Sequence, residues 1–231
     1  MNDQLLFALL ACGIMLLVGF PVHEFSHAYA AYRLGDSTAR YQGRLTLNPV
    51  VHFDRFGGLM LIITAVLTQG SAFFGFAKPT PVNPMNLSGG RRGEALVAAA
   101  GPVSNLIMAA IVAVPLRLLL SSDSALEKLF STPALAAIYD VAYFFLLINV
   151  FLFVFNLIPV PPLDGWRVLL GMVPPRTAWQ LRQFEAQYAA IIPFFFLIVF
   201  ILVAPRIIGP IADGIIHLLV GPVTGLIPVS F

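Results

Sequence analysis

The chain has 231 residues, of which 59% are hydrophobic and only 10% carry a charged side chain. Its mean hydropathy is +0.90, whereas a water-soluble domain of this size needs far more polar surface. The composition argues against a soluble enzyme, and a net charge of +2 without a long basic tract argues against a nucleic-acid-binding protein. Several apolar runs approach the roughly 20 residues that cross a bilayer as a helix, so we predict an all-α polytopic membrane protein.

The first predicted helix covers residues 4–34 and is apolar as far as Phe20. Pro21 follows, and it lacks the N–H group that would bond to the carbonyl of Leu17. The pattern predicts either a kink that lets water reach this part of the helix or a proline that a membrane helix tolerates. A polar, turn-rich stretch at residues 36–55 separates this helix from the next apolar run.

A short apolar run at residues 56–67 is the next predicted element. A stretch of about 10–14 apolar residues is more typical of a re-entrant or interfacial segment than of a membrane-spanning helix. Its extension to residue 76 would have to include the polar residues 68–71, so the sequence leaves open whether segment 56–76 spans the membrane. Three prolines within residues 77–86 then predict extended chain.

The rest of the chain alternates between apolar helices and polar connections. In chain order, the predicted elements are a helix at 93–119, a polar loop at 121–128, a helix at 134–158, a moderately polar stretch at 166–187, a helix at 188–203 and an apolar piece at 207–231. Proline, glycine and aspartate interrupt the last piece, so the sequence leaves open whether it spans the membrane. We expect a bundle of about 4–6 membrane helices, with a re-entrant or extended segment between the first and second long helices.

Basic residues are concentrated between the first and second long helices. The N-terminal tail has none, whereas this connection contains Arg33, Arg40, Arg44, Arg55, Lys78, Arg91 and Arg92. The positive-inside rule places such a connection in the cytoplasm and the N-terminus outside. The stretch at 166–187, which has three arginines, is then also predicted on the cytoplasmic side.

His23 and His27 lie four residues apart near the end of the first predicted helix, so they share one helix face. Two imidazoles at this spacing can bind the same Zn²⁺ ion, and Glu24 can act on a water molecule as general base. This is the HExxH pattern of zinc peptidases. Ionisable groups beside a long apolar run are costly in a membrane and usually mark function, so the sequence predicts a catalytic zinc site.

A catalytic zinc site has a third protein ligand and an open position for water. The residues that could supply this ligand are Asp36, His52, Asp54, Glu94, Asp164, Glu185, Asp213 and His217. Local chemistry favours Asp164, because the prolines within 159–162 halt the preceding helix and place it in a rigid, irregular segment. The number of membrane crossings, here called the crossing parity, also favours Asp164. If segment 56–67 does not cross the membrane, the helices at 93–119 and 134–158 cross it in opposite directions. Asp164 then lies on the same side of the membrane as the histidines.

Several ordered motifs are more specific than the histidine pair alone. They lie between residues 5 and 171 and are HEFSH at 23–27, GRLTLNP at 43–49, KPTPVNP at 78–84, AGPVSN at 100–105 and NLIPVPPLDG at 156–165. Together they resemble the site-2 protease family of intramembrane metalloproteases, specifically its compact group without a PDZ domain.

The resemblance implies that His23, His27 and Asp164 bind one Zn²⁺ per chain and that Glu24 is the catalytic base. It also implies cleavage of transmembrane segments of other proteins within or near the lipid bilayer. The chain would then be a single membrane-embedded metalloprotease domain, 1–231, with a catalytic core at about 5–171 and C-terminal helices at about 186–231.

Four further residues are candidates for substrate binding. Asn105 and Asn156 are amides within apolar helices, where they could contact a substrate carbonyl or orient a metal ligand, or simply join helices by hydrogen bonds. Val82 and Asn83 lie in the proline-rich chain, whose free backbone groups could pair with an unwound substrate. The alternative for these two is a plain loop.

The natural substrate, the cleavage site, the trigger and the oligomeric state do not follow from the sequence. Two alternatives to a protease are a zinc transporter and a catalytically inactive homologue that binds membrane proteins. No nucleic-acid partner is expected, and substrate selection would rest on the membrane core or on a separate regulatory membrane protein. We predict an intramembrane zinc metalloprotease in a cell membrane of the bacterial type, with its active site toward the cytoplasm.

Overall fold

The computed structural model describes residues 3–67 and 75–221. These residues form helices and connecting segments and contain no β-strand. The helices are α1 (Asp3–Ile14), α2 (Phe20–Arg33), α3 (Thr38–Tyr41), α4 (Pro49–His52), α5 (Arg55–Leu67), α6 (Arg91–Leu120), α7 (Asp123–Ser131), α8 (Pro133–Asn156), α9 (Asp164–Met172), α10 (Pro175–Gln187) and α11 (Ile192–Val220). The predicted all-α fold is confirmed.

Long apolar helices dominate the bundle. Among the residues whose placement is described, three stretches of helix are long and apolar enough to cross a membrane: Leu9–Arg33, Arg91–Leu120 and Pro133–Asn156. Helix α11 adds 29 residues and packs against α6 and α8. The chain is therefore a polytopic helical membrane protein.

The C-terminal region differs from the prediction. The sequence predicted a helix at 188–203 and a separate apolar piece at 207–231, but α11 is continuous from Ile192 to Val220. Membrane helices tolerate proline and glycine because neighbouring groups satisfy the freed backbone, so these residues do not end the helix. Residues 222–231 of the predicted piece lie outside the described residues, as do residues 68–74 of the predicted segment 56–76.

The first long helix contains a π-helical turn at Met15–Gly19, shortly before Pro21. The N–H of Phe20 donates to the carbonyl of Met15, five residues earlier instead of four. The helical hydrogen bonds are thus already shifted by one residue just before Pro21, which has no N–H to donate. The side chain of Met15 packs on Gly19, where a Cβ atom would collide with it. The helix accommodates the proline at this turn, and α2 continues to Arg33.

Helix α6 lies at the centre of the bundle and makes its largest contacts with α2, α8 and α9. Small residues on α6, including Ala109 and Ala113, belong to the core that it shares with α8 and α11. Small side chains allow membrane helices to approach closely. Because α6 touches both α2 and α9, it fixes the relative position of the two helices that carry the predicted metal ligands.

The chain returns beside the start of α5. The N–H of Lys78 donates to the carbonyl of His52 at 2.9 Å, and the carbonyl of Phe76 lies so close to Gly57 that a Cβ atom there would collide with it. The described residues on the two sides of this segment therefore lie beside each other, as a re-entrant segment requires. That the segment does not cross the membrane, the condition that places Asp164 on the side of the histidines, stays a prediction.

Residues 77–83, here called the strap, have no regular secondary structure, as the prolines predicted. At its C-terminal end, the N–H of Asn83 donates to Oδ2 of Asp36, the second residue beyond the C-cap of α2, at 2.7 Å. The carboxylate of Asp36 is fully buried. It also accepts hydrogen bonds from Thr38 and Asn86. The strap is thus held against the region of α2 by a buried carboxylate.

Candidate metal centre

Three side chains from two distant parts of the sequence meet between α2 and α9. The Nε2 atoms of His23 and His27 lie 3.1 Å apart, and each lies 3.3 Å from Oδ2 of Asp164. Within the described ranges, these residues form the one group of three or more histidine, cysteine or acidic residues that could hold a metal ion.

The spacing of these atoms fits zinc. A tetrahedral Zn²⁺ ion with bonds of about 2.0–2.1 Å has its ligand atoms about 3.3 Å from one another. The three observed separations are 3.1, 3.3 and 3.3 Å. Two imidazoles and one carboxylate also match the donor set of catalytic zinc sites, which use three protein ligands and leave one position open. His23, His27 and Asp164 therefore fit the ion that the sequence predicted.

The other nitrogen of each imidazole bonds to α6. Nδ1 of His23 lies 2.8 Å from Oδ1 of Asn105, and Nδ1 of His27 lies 2.8 Å from the carbonyl oxygen of Val97. A carbonyl oxygen can only accept, so Nδ1 of His27 carries the proton and donates it. Nε2 of that ring is then free to bind a cation.

Gly101 on α6 faces both histidines. A Cβ atom at this position would collide with Nε2 of His27 and would lie 2.6 Å from Nε2 of His23. The absence of a side chain therefore keeps the space beside the ligand atoms free. The sequence did not predict this contact of Gly101 with the site, although its place in the AGPVSN motif was a signal.

Asp164 is the first residue of α9, whereas the sequence placed it in an irregular segment. The turns at 157–163 precede it, and Gly165 packs so closely on the carbonyls of Leu157 and Ile158 that a Cβ atom would collide with them. A carboxylate is favourable in the first turn of a helix. Burial alone would raise the pKa of Asp164, but His23 and His27, when they are protonated, outweigh it by donating to this carboxylate and hold the pKa well below its usual range.

Charged side chains fix α9 on α6. Glu94, which is buried near the start of α6, bonds to Arg167 of α9 at 2.8 Å and also contacts Arg182 of α10. The Arg91 side chain donates to the carbonyl of Leu170 at 3.1 Å and to that of Val173 at 2.9 Å, at the end of α9. These contacts determine where the start of α9, and with it Asp164, lies relative to the histidines.

Glu24 is bonded to the strap. The N–H of Thr80 donates to Oε2 of Glu24 at 2.7 Å, and the hydroxyl of Thr80 donates to the backbone carbonyl of Glu24 at 3.0 Å. Thr80 lies between Pro79 and Pro81, which have no N–H group, so it supplies the only backbone donor of this tripeptide. Sequence reasoning missed Thr80, because nothing local indicates a partner 56 residues away.

The four candidates for substrate binding differ in their hydrogen-bond partners. Asn105 contacts His23, whereas the side-chain amide of Asn156 donates to the carbonyl of Leu152 in its own helix at 2.9 Å. The N–H of Asn83 donates to Asp36 and its carbonyl accepts from Asn86. The prediction that Asn83 offers free backbone groups is therefore wrong, because Asp36 and the following 3₁₀ turn use them.

Val82 fits that prediction better. No hydrogen bond involves its backbone N–H or C=O among the described residues. Its side chain packs against the cluster of Ala31, Leu87 and Val97. Val82 thus keeps unpaired backbone groups beside α2.

Comparisons with known proteins indicate a peptidase family. Residues 11–200 match the model of Peptidase family M50. The chain is 41% identical over 188 residues to "Putative zinc metalloprotease YwhC" of Bacillus subtilis, which covers 81% of this chain and 78% of that protein. It is 30% identical over 161 residues to "Putative zinc metalloprotease Rip2" of Mycolicibacterium smegmatis, which covers 70% of this chain and 56% of that protein. No solved structure matches the chain significantly.

Proposed function

Because this chain belongs to peptidase family M50, the site-2 protease family, we propose that it hydrolyses peptide bonds in or near the transmembrane segments of other membrane proteins. It is an integral membrane zinc metalloprotease, and one observation supports the location of its active centre. The Nε2 atoms of His23 and His27 and Oδ2 of Asp164 lie 3.1–3.3 Å from one another, and Glu24 directly follows His23 in the chain. We assign one Zn²⁺ per chain to these three residues.

A zinc ion held there polarises a peptide carbonyl and makes water easier to deprotonate. Glu24 is the base of the proposed reaction. The N–H of Thr80 holds its Oε2 atom, which leaves Oε1 to take the proton from the attacking water. The same carboxyl then passes this proton to the nitrogen of the leaving amine.

The substrate must present an unwound peptide bond to this centre, because a helix hides its carbonyls in internal hydrogen bonds. We propose that the unpaired backbone groups of Val82 bind the unwound segment by strand addition. Val82 lies two residues from Thr80, whose N–H contacts the base, so a segment paired there would lie close to Glu24. Asn156, whose side-chain oxygen has no partner in the described chain, remains a second candidate for binding substrate.

The orientation of the site is also a proposal. The connection between the first two long spans carries the excess of basic residues, and the positive-inside rule places it in the cytoplasm. His23 and His27 lie in the second half of the first span, Leu9–Arg33, so the active centre would face the cytoplasmic side of a cell membrane of the bacterial type. Substrates would be selected by the membrane-embedded part itself or by a separate regulatory membrane protein.

The test is cleavage of a panel of transmembrane segments by the purified full chain in proteoliposomes. Glu24→Gln removes the base but none of the zinc ligands, so we expect one bound zinc per chain and a fall in turnover of about 100- to 10,000-fold. A zinc chelator should abolish wild-type cleavage.

Glu127→Gln is the matched control, because Glu127 is exposed on α7 and contacts none of the centre. It should cleave like the wild type. Turnover of Glu24→Gln equal to that of the wild type would contradict the assignment of the base. Zinc flux across the vesicles without proteolysis would contradict the proposed activity.

A further inference from the structure

Asn105 is a completely buried amide in the middle of α6, with 0% of its surface exposed. Its Oδ1 atom lies 2.8 Å from Nδ1 of His23, a residue 82 positions earlier in the sequence. Its Nδ2 atom has no hydrogen-bond partner in the described part of the chain. A buried polar group with an unsatisfied atom costs stability. Oδ1 of the buried Asn149 also has no partner among the described residues, so the contact with His23, and not the unsatisfied atom, distinguishes Asn105.

The contact determines which nitrogen of His23 carries the proton. If Oδ1 of Asn105 accepts from Nδ1–H, the lone pair of Nε2 points toward Asp164 and His27. If the amide were turned so that Nδ2 donated to Nδ1, the proton would lie on Nε2 and the ring could not bind a cation there. Acceptance by Asn105 therefore favours the form of His23 that can bind a cation through Nε2.

Asn149 shows what a buried amide without this role looks like. It also has 0% exposure and lies within a membrane helix, α8. Its side-chain amide donates to the carbonyl of Phe145 in its own helix at 2.8 Å and to the sulfur of Met15 at 3.4 Å. Neither partner belongs to the centre, so Asn149 is a structural amide of the bundle, whereas Asn105 bonds to a predicted metal ligand.

His27 provides a second comparison. Its Nδ1 partner is the backbone carbonyl of Val97, which no side-chain substitution removes. His23 depends instead on a side chain. Among the described residues, Asn105 is thus the replaceable member of the pair of acceptors that orient the two rings.

We propose that Asn105 is a positioning residue that fixes the ring orientation and the proton of His23 and thereby raises the affinity of the centre for zinc. This inference rests on the zinc site of the proposed function. Outer hydrogen-bond partners of metal-binding histidines typically contribute about 10- to 100-fold to metal affinity. Asn105 does not touch the substrate in this role, so its effect is on metal binding and not on substrate affinity.

The experiment measures Zn²⁺ affinity of the purified full chain by competition with a chromophoric chelator, without any substrate. Asn105→Leu removes the acceptor at similar volume, and we expect affinity to fall about 10- to 100-fold. Asn105→Asp restores an acceptor oxygen, and we expect it to retain affinity within about threefold, since a carboxylate is a common partner of a zinc-binding histidine. Asn149→Leu is the matched control for loss of a buried amide, and its affinity should equal that of the wild type.

Two further variants, His23→Ala and its combination with Asn105→Leu, test whether Asn105 acts through His23. His23→Ala should weaken zinc binding, and adding Asn105→Leu to it should cause no further loss if Asn105 acts through His23. If Asn105→Leu does not fold, as judged by circular dichroism, Asn105→Ala takes its place. A wild-type chain that binds no zinc, or a His23→Ala variant with unchanged affinity, would contradict the proposed site itself. Suppose that the wild type binds zinc and that His23→Ala weakens this binding, as expected. Unchanged zinc affinity in Asn105→Leu would then overturn this inference alone, and so would equal losses of affinity in Asn105→Asp and Asn105→Leu.

Discussion

Gly101 brings the backbone of α6 against both histidines of the centre. Replacing it with alanine should displace the imidazoles, because the added Cβ would collide with Nε2 of His27. We expect Gly101→Ala to lose most of its zinc and about 100-fold or more in activity, the cost of a displacement of about 1 Å at a reacting site. Zinc content of the purified protein, measured by elemental analysis, checks this.

Gly214→Ala is the control for the glycine substitution. Gly214 also lies in a long helix, α11, and a Cβ atom there would have no neighbour within 4 Å. It should keep the wild-type zinc content. A Gly101→Ala protein with one zinc per chain would show that α6 can move away from the histidines.

Thr80 offers a test of how the base is held. Thr80→Pro removes the N–H that donates to Oε2 of Glu24, in a tripeptide already restricted to extended conformations by its prolines. A hydrogen bond to a charged group is worth about 1.5–3 kcal/mol, so we expect kcat to fall about 10- to 100-fold while zinc content is unchanged. Steady-state kinetics and zinc analysis together measure both.

Thr80→Val separates the two bonds of this residue. It keeps the N–H and removes only the hydroxyl that donates to the backbone of Glu24, so kcat should stay within about threefold of the wild type, since that bond is not to a charged group. Equal losses in Thr80→Val and Thr80→Pro would assign the effect to the position of the strap and not to the N–H.

At the residue scale, the sequence predicts what is local and misses what depends on packing. The spacing of His23, Glu24 and His27 follows from helix periodicity. The contacts of Gly101 and Thr80 do not, because each requires knowing which face of α6 or which turn of the strap meets α2. The prediction for Asn83 was wrong for the same reason, since its partner Asp36 lies 47 positions away.

The C-terminal end of the strap is held by the ionised carboxyl group of Asp36. Burial alone would raise the pKa of Asp36, but hydrogen bonds from Thr38, Asn83 and Asn86 outweigh it and hold the pKa below its usual range. A carboxyl group with a lowered folded pKa stabilises the fold above its unfolded pKa of about 3.9, and this contribution disappears as the pH falls through the lower folded value. We therefore expect the strap to stay ordered at neutral pH and to loosen only in strong acid.

Asp36→Asn tests this expectation through hydrogen exchange of the peptide that contains Asn83. At neutral pH the variant should exchange about 10-fold faster or more, because it lacks the charged acceptor. The ratio of variant to wild type should approach one as the pH falls below about 4. Asp123→Asn on the exposed surface of α7 is the control. A ratio of one at neutral pH would mean that the carboxylate does not hold the strap.

At the element scale, helix type and order were predictable, and helix ends were less so. Apolar runs located α6 and α8 to within a few residues. The joining of two predicted pieces into α11 was not predictable, because proline and glycine end helices in water but not reliably in lipid. The placement of Asp164 at the start of α9 was also missed, since the prolines before it suggested irregular chain.

The arrangement of the whole chain across the membrane can be tested with single cysteines in a Cys12→Ser background. Tyr41 and Met85 are 86% and 91% exposed, and they lie on either side of the re-entrant segment. We expect an impermeant thiol reagent to label Tyr41→Cys and Met85→Cys from one side, the cytoplasmic one, and Glu127→Cys from the other. Labelling of the first two from opposite sides would mean that residues 53–77 cross the membrane.

At the scale of the whole molecule, the crossing parity could be predicted from the sequence. It linked Asp164 to the histidines through the number of crossings, with no knowledge of any contact. The side-chain geometry that completes the centre, with separations of 3.1–3.3 Å, needed the packed bundle, because helix rotation and depth are set by neighbours and not by hydropathy.

The backbone hydrogen bond between Lys78 and His52 closes residues 53–77 into a loop with a fixed neck. The entropy of closing a loop rises only slowly with its length, so insertions or deletions within this loop should leave the chain beyond the neck where it is. We therefore expect the part of this loop that does not pack on α1 to tolerate changes of length. A reporter sequence or a photo-crosslinking residue placed there should leave Thr80 on Glu24.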